Sequence, residues 1–207
     1  MKLKLLGVGN NAKTVKGDGS EYLTAIMYLA PADKVDGVNL CPMAVLAGCK
    51  APCLDSAGRG AFNNVQAARI RKTIFWRDYR DLFLDQLRQD IKAFIKYCKK
   101  KDVQPCIRLN GTSDIRWENY IDMQGEFPEA IFYDYTKDAN RLSRPLPSNY
   151  HLTLSYSEAS DKYQSMILGA MGKHKHSNMA VVFRHKDTMP KTFKGFKVID
   201  GDKDDLR

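Results

Sequence analysis

A helical segment of forty residues, 62–101, is followed by short apolar runs that each close on polar residues, and this order constrains the fold more than any other feature. The runs are 105–109, 130–133, 151–154, 179–183 and 196–199. They end in Asn110-Gly111-Thr112-Ser113-Asp114, Asp134-Tyr135-Thr136-Lys137, Ser155-Tyr156-Ser157-Glu158, Arg184-His185-Lys186 and Asp200-Gly201-Asp202. Apolar runs of this length between turn signals read as buried strands. Buried strands joined by helices build parallel sheets, which bind ligands at the carboxyl ends of their strands. The pattern predicts an α/β fold: a mostly parallel sheet or partial (β/α) barrel, with a long amphipathic helix after a cysteine loop. Residues 1–207 read as a single domain, with a cysteine loop at 37–60, a basic helical segment at 62–101 and a strand-rich part at 105–200.

Within the helical segment, Tyr79, Phe83, Leu87, Ile91, Phe94, Ile95 and Cys98 recur at three- and four-residue steps. That stripe predicts a helix, in two pieces, lying on the core. Lys99, Lys100 and Lys101 close it, where cations suit the helix dipole. Residues 21–29 predict a strand, the stretch up to Asn11 a short strand or arm ending in a turn, and 164–171 a crossover helix. The helix between Trp117 and Phe127 is short at best.

Apolar residues make up 43% of the chain, enough for a core, so wholesale disorder is excluded. No apolar run reaches the roughly 18 residues of a membrane helix, and the N-terminus turns polar too soon for a signal peptide. A cytoplasmic protein is expected. Of the net charge of +9, residues 58–108 supply +8, from 13 basic and 5 acidic groups. A polyanionic partner is expected, with no membrane association.

Three cysteines fall in thirteen residues: Cys41, Cys49 and Cys53, spaced x7 then x3. Pro42, Gly48 and Pro52 make a loop that can fold them towards one point. Thiolates in that array suit an iron–sulfur cluster or zinc. A structural zinc site would need a fourth ligand from Cys98, Cys106, His174, His176 or His185. The same residues also fit three reduced loop cysteines without any metal. Cys98, on the helix stripe, and Cys106, at a strand start, read as small core residues.

Arg59, Arg69, Arg71, Lys72 and Arg77, with Asn63, Asn64 and Trp76 among them, combine charge for phosphates with groups for bases. That mixture suits single-stranded DNA or RNA, and equally a solvated helix face over core aromatics. At the strand ends, Asn110, Gly111, Thr112, Ser113 and Asp134 are candidate cofactor contacts. Asp114 and Lys137 are the candidate catalytic pair. A turn with a helix cap, and a solvated ion pair, explain the same residues. Lys173-His174-Lys175-His176 reads as an exposed basic loop, and Asp200, Asp202, Asp204 and Asp205 as a solvated acidic tail.

Several motifs together resemble a known family. They are Cys41-Pro42 with Cys49 and Cys53, Gly58-Arg59-Gly60, residues 63–69, 108–114, 132–137, 149–153 and 180–183, and Val198-Ile199-Asp200-Gly201-Asp202. The chain is similar, over most of its length, to the three-cysteine "gene product 88" group of bacteriophage proteins, whose activity is not established. That group in turn looks distantly like radical S-adenosylmethionine enzymes. There a three-cysteine loop after the first barrel strand holds a 4Fe–4S cluster, and the open iron takes S-adenosylmethionine. Those enzymes usually space the cysteines x3 then x2, unlike this chain. The resemblance implies a cluster on Cys41, Cys49 and Cys53, and a glycine-containing cofactor grip at 110–114. It also implies residence in the host cytoplasm. The alternative is a non-catalytic nucleic-acid-binding protein serving phage replication or transcription beside phage or host proteins, with zinc or no metal in the loop.

Overall fold

The computed structural model of the chain describes residues 3–8, 21–174, 177–185 and 187–201. Its β-branched and aromatic runs become β1 (Leu6–Val8), β2 (Tyr22–Met27), β3 (Gln104–Arg108), β4 (Ile131–Thr136), β5 (Tyr150–Ser155) and β6 (Asn178–Ala180). The six form one sheet in the order of the sequence. β1 runs antiparallel to β2, and every later neighbour pair is parallel. Helices α1 (Asn63–Asp78) and α2 (Arg80–Lys100) link β2 to β3, the short α3 (Met123–Glu126) lies between β3 and β4, and α4 (Asp161–Lys173) links β5 to β6. The chain is a single α/β domain with a mostly parallel sheet.

Alternate residues of a strand point to opposite faces. The registers Ala25↔Ile107, Ile107↔Phe132 and Phe132↔Tyr150 put these four side chains on one face. They share a core with Phe83, Leu84, Leu87, Ile91, Phe94 and Cys98 of α2. Further along that face, Leu154 and Met179 pack on Tyr163, Ile167 and Met171 of α4. Both helices therefore cover the same face, as a sheet wound in one direction by right-handed crossovers requires. The opposite face carries Thr24, Ile26, Cys106, Arg108, Tyr133 and Tyr135, and none of these belongs to either apolar cluster.

The segment 62–101 is two helices, because Tyr79 leaves the helical region at φ −135° and ψ 56°. The break lets each helix turn its own stripe inward. Trp76 of α1 is 2% exposed and meets Phe83 at 5.3 Å, Trp117 at 4.9 Å and Tyr120 at 5.1 Å between ring centres. Such pairs contribute about 0.5–1.5 kcal/mol each beyond area burial. The Arg80 guanidinium covers the ring at 4.3 Å. Of the predicted stripe, Phe83, Leu87, Ile91, Phe94 and Cys98 are buried, whereas Tyr79, at the break, is 59% exposed.

One expectation needs correction, for the run 196–199, and the short helix expected between Trp117 and Phe127 is found as such. The run 196–199 does not join the parallel sheet; β8 (Phe196–Lys197) pairs with β7 (Thr192–Phe193) in a separate antiparallel hairpin, turned by Gly195 at φ 85°. The chain between Trp117 and Phe127 is one 3-10 turn, Trp117–Asn119, and the four-residue α3. The turn at Gly9 to Asn11, Lys175, His176, Lys186, Asp202, Asp204 and Asp205 lie outside the described residues. No helix among the described residues is long and apolar enough to cross a membrane.

Leu87 has no exposed surface and lies at the centre of the α2–sheet contact. Leu87→Ala is expected to lower unfolding stability by about 2–5 kcal/mol, measured by denaturant titration. A loss below about 1 kcal/mol would mean that α2 does not hold the core in this way.

Candidate functional site at the carboxyl edge of the sheet

The loop after β2 returns across the carboxyl ends of the parallel strands. The Asp114 N–H donates to Leu40 O at 2.8 Å, and the Ser157 hydroxyl donates to Ala47 O at 2.7 Å. One stretch of the cysteine loop is thus tied to the chain beyond β3 and another to the chain beyond β5. Gly48 sits at φ 64°, and a Cβ there would lie 2.5 Å from the Ala159 Cβ, so glycine is required for the loop to close on that segment.

Cys41, Cys49 and Cys53 are free thiols and half-buried. The Cys41 thiol points at Thr112 O, 3.7 Å away. Burial pushes it up to about 12, and the charges of Asp114, Cys53 and Cys49 add to the rise. Burial likewise raises Cys53, with Asp55 and Cys49 contributing. These sulfurs are close enough to repel one another as thiolates, and a bound cation would relieve that repulsion. Among the described residues, no three His, Cys, Asp or Glu side chains already stand where they could hold a metal ion. A metal on the three sulfurs would have to draw the loop inward.

Beneath the loop lies a buried polar network. Asp134 on β4 accepts the Asn110 N–H at 2.8 Å, the Asn110 side-chain amide at 3.2 Å and the Tyr150 hydroxyl at 3.0 Å. Tyr150 accepts from Arg141 at 2.8 Å, and Arg141 also donates to Asp114 at 2.9 Å and to Glu118 at 2.7 and 3.2 Å. Asp114 further accepts from the Thr136 hydroxyl and the Lys137 N–H, both at 2.8 Å. The Ser113 hydroxyl donates to the Asn110 side-chain oxygen at 2.9 Å, and the Thr112 hydroxyl donates to Leu29 O at 2.6 Å. A Cβ on Gly111 would meet Met27 O and the Tyr28 ring, both at 2.6 Å. The strand-end candidates Asn110, Gly111, Ser113, Asp114 and Asp134 are therefore gathered together, with their polar groups turned towards one another.

Lys137 differs. Its ammonium donates to Ser155 O at 3.0 Å and Tyr156 O at 3.3 Å and is half-buried. Burial lowers its pKa, while the charges of Cys49 and Asp114 pull it back up. It is the cation of the strand ends that lies beside the cysteine loop. Arg141, Tyr150 and Glu118 complete the network; Tyr150 falls in the motif at 149–153 without having been read as a site residue, and Arg141 and Glu118 sit in stretches without a motif.

The basic segment divides in two. Arg69 is 7% exposed, donates to Asp55 O at 2.9 Å and lies over the Tyr28 ring at 5.2 Å. Lys72 donates to Leu5 O at 3.2 Å and is held down to about 8 by burial and the charge of Arg69. Trp76 is core, and Arg77 grips Asp78 and Asp36 O. Arg59, Asn63, Asn64 and Arg71 face solvent.

Burial pushes Asp134 up to about 6, against the opposing pull of Arg108, the Asn110 N–H, Arg141 and Tyr150. The native state therefore takes up this proton more readily than the unfolded chain, whose carboxylate titrates near 4. The resulting stabilisation is full below that value and is lost as pH rises through about 6. Relative to Asp134→Asn, the wild type is expected to lose up to about 3 kcal/mol between pH 4 and 7 in urea titrations. A stability difference that stays flat over that range would contradict this burial. Asp114 is also raised by burial, but it is common to both proteins and cancels.

No curated protein and no solved structure matches the chain. The family model described as "Gene product 88" matches residues 3–207, which takes in the cysteine loop, the polar network and the sheet. The chain belongs to the gene product 88 family.

Proposed function

We propose that Cys41, Cys49 and Cys53 hold an iron–sulfur cluster, and that the chain is a radical-S-adenosylmethionine-like enzyme acting on a nucleic acid or nucleotide. The observation that carries this reading is the placement of the three-thiol loop. It follows the first parallel strand and lies across the carboxyl edge, tied from Leu40 and Ala47 to Asp114 and Ser157. The sequential strand order with helices on one face supports it, because that is the winding of an incompletely closed (β/α) barrel. The donor set is the soft thiolate set that iron–sulfur clusters and zinc take.

A cluster held by three cysteines supplies an iron with an open coordination position for a small ligand. The chain's own residues do the rest. Lys137, beside Cys49 and with its pKa lowered by burial, is the group that binds an anionic or carbonyl oxygen or moves a proton at the strand ends. Asp114 is a positioning residue: it fixes the Lys137 backbone and Thr136. Asn110, Ser113 and Asp134 hold the β3 end in shape, and Gly111 with Thr112 lets that end pass close beneath Cys41. Arg59, Asn63, Asn64 and Arg71 contact the phosphates and bases of the polynucleotide.

Protein purified without oxygen is expected to contain iron and sulfide and to absorb near 400 nm, roughly where thiolate-bound clusters do. Cys41→Ala should lose both. Zinc in place of iron would make the loop structural and leave a non-catalytic nucleic-acid binder. Protein without metal after expression with ample iron would overturn the cluster. For the polynucleotide, Arg59→Ala with Arg71→Ala should weaken single-stranded DNA or RNA binding and flatten its salt dependence by about one unit of slope for each phosphate no longer neutralised. Unchanged affinity and slope would remove these residues from the interface.

A further inference from the structure

On the sheet face opposite α2 and α4, one buried polar side chain and one buried side-chain nitrogen stand without a partner among the described residues. Thr24 on β2 is 3% exposed, and its hydroxyl has no hydrogen-bond partner among the described residues. Arg108 on β3 is partly exposed, but its Nε is buried and also without a partner among the described residues. Arg108 makes no ion pair or hydrogen bond among the described residues, and its guanidinium lies over the Tyr135 ring, 4.8 Å from the ring centre. The registers Thr24↔Cys106 and Ile26↔Arg108 make the two residues diagonal neighbours on that face. From strand rise and strand spacing, their Cα atoms lie about 8 Å apart, within the reach of an arginine side chain.

Buried polar groups are rarely left unpaired, and an orphaned one calls for an explanation. Here two lie side by side, near the carboxyl end of a parallel strand, where sheets of this kind bind ligands. The Asp134 carboxylate feels the charge of Arg108, but both its oxygens are held by Asn110 and Tyr150, and it points to the other face. Contact with the Tyr135 ring occupies a face of the guanidinium. The N–H edge remains, and that edge takes a carboxylate or phosphate in bidentate fashion.

We propose that this face of the sheet is a ligand-binding face, with Arg108 as the anchor for an anionic oxygen group, carboxylate or phosphate, of a small ligand and the Thr24 hydroxyl as its second contact. The site needs no metal and shares no residue with the cysteine loop. Its failure and the failure of the cluster are therefore read from different experiments.

The test uses the arginine Nε–Hε signals in nitrogen–proton correlation spectra of the full chain. The Arg108 signal is assigned by its loss in Arg108→Lys. Inorganic phosphate and acetate are titrated separately, with sodium chloride at matched ionic strength as the control. The expected result is a saturable shift of the Arg108 signal with one of the two anions and none with chloride. Saturation at lower phosphate concentration identifies a phosphoryl ligand, and at lower acetate concentration a carboxylate. A signal that neither anion moves, or that chloride moves equally, overturns the proposal. Should Arg108→Lys not fold, Thr24→Val carries the test through the rise in melting temperature that the anion causes. A midpoint concentration raised threefold or more supports the two-group site, and an unchanged midpoint overturns it.

Discussion

A guanidinium with no exposed side-chain surface, that of Arg141, ties together residues of three neighbouring strands and the turn after β3, and the polar network below the cysteine loop is organised around it. It joins Asp114 after β3, Glu118 in the following turn and Tyr150 at the start of β5, and through Tyr150 it reaches Asp134 on β4. Burying such charges is costly, and their mutual attraction offsets that cost only when every hydrogen-bonding position is filled. Here the positions are filled from several segments at once. These segments cannot shift independently, and Asp114, through its N–H on Leu40 O, fixes the cysteine loop to the same frame.

The second constraint is the winding. Strands laid down in sequence order, with α2 and α4 on one face, leave the other face to side chains that no apolar cluster claims. With both helices on one face, the chemistry gathers in two places. The carboxyl edge carries the thiols and Lys137. The face opposite the two helices carries Arg108, with Tyr135 beside it, and the buried Thr24. The apolar side takes most of the large residues, which frees the other side to hold polar groups that packing alone would not tolerate.

Much of this was legible in the sequence. The helical stripe of Phe83, Leu87, Ile91 and Phe94 and the strands at 105–109, 130–133 and 151–154 follow from periodicity and run length, which report burial directly. The hairpin at β7 and β8 was not legible, because Phe196 and Val198 offer an apolar alternation that suits either kind of sheet, and only the neighbouring Gly195 turn distinguishes them. The fate of the basic segment was hidden for a different reason. An arginine on a helix reads as charge, yet Arg69 spends its charge inward on Asp55 O and the Tyr28 ring, a choice set by tertiary packing. Likewise the strand-end polar residues show themselves in sequence as a site. The partner that orders them, Arg141, lies 27 residues further on and carries no local mark.

The loop with Cys41, Cys49 and Cys53 is the feature on which the functional proposal turns, and it differs from a finished metal cage in that its sulfurs are coupled by charge but not gathered to one point. The most direct measurement is X-ray absorption at the metal edge of the intact protein. A shell of sulfur neighbours at about 2.3 Å that shrinks in Cys49→Ser is the predicted result. A metal surrounded by oxygen and nitrogen alone, or a sulfur shell indifferent to that substitution, would contradict it.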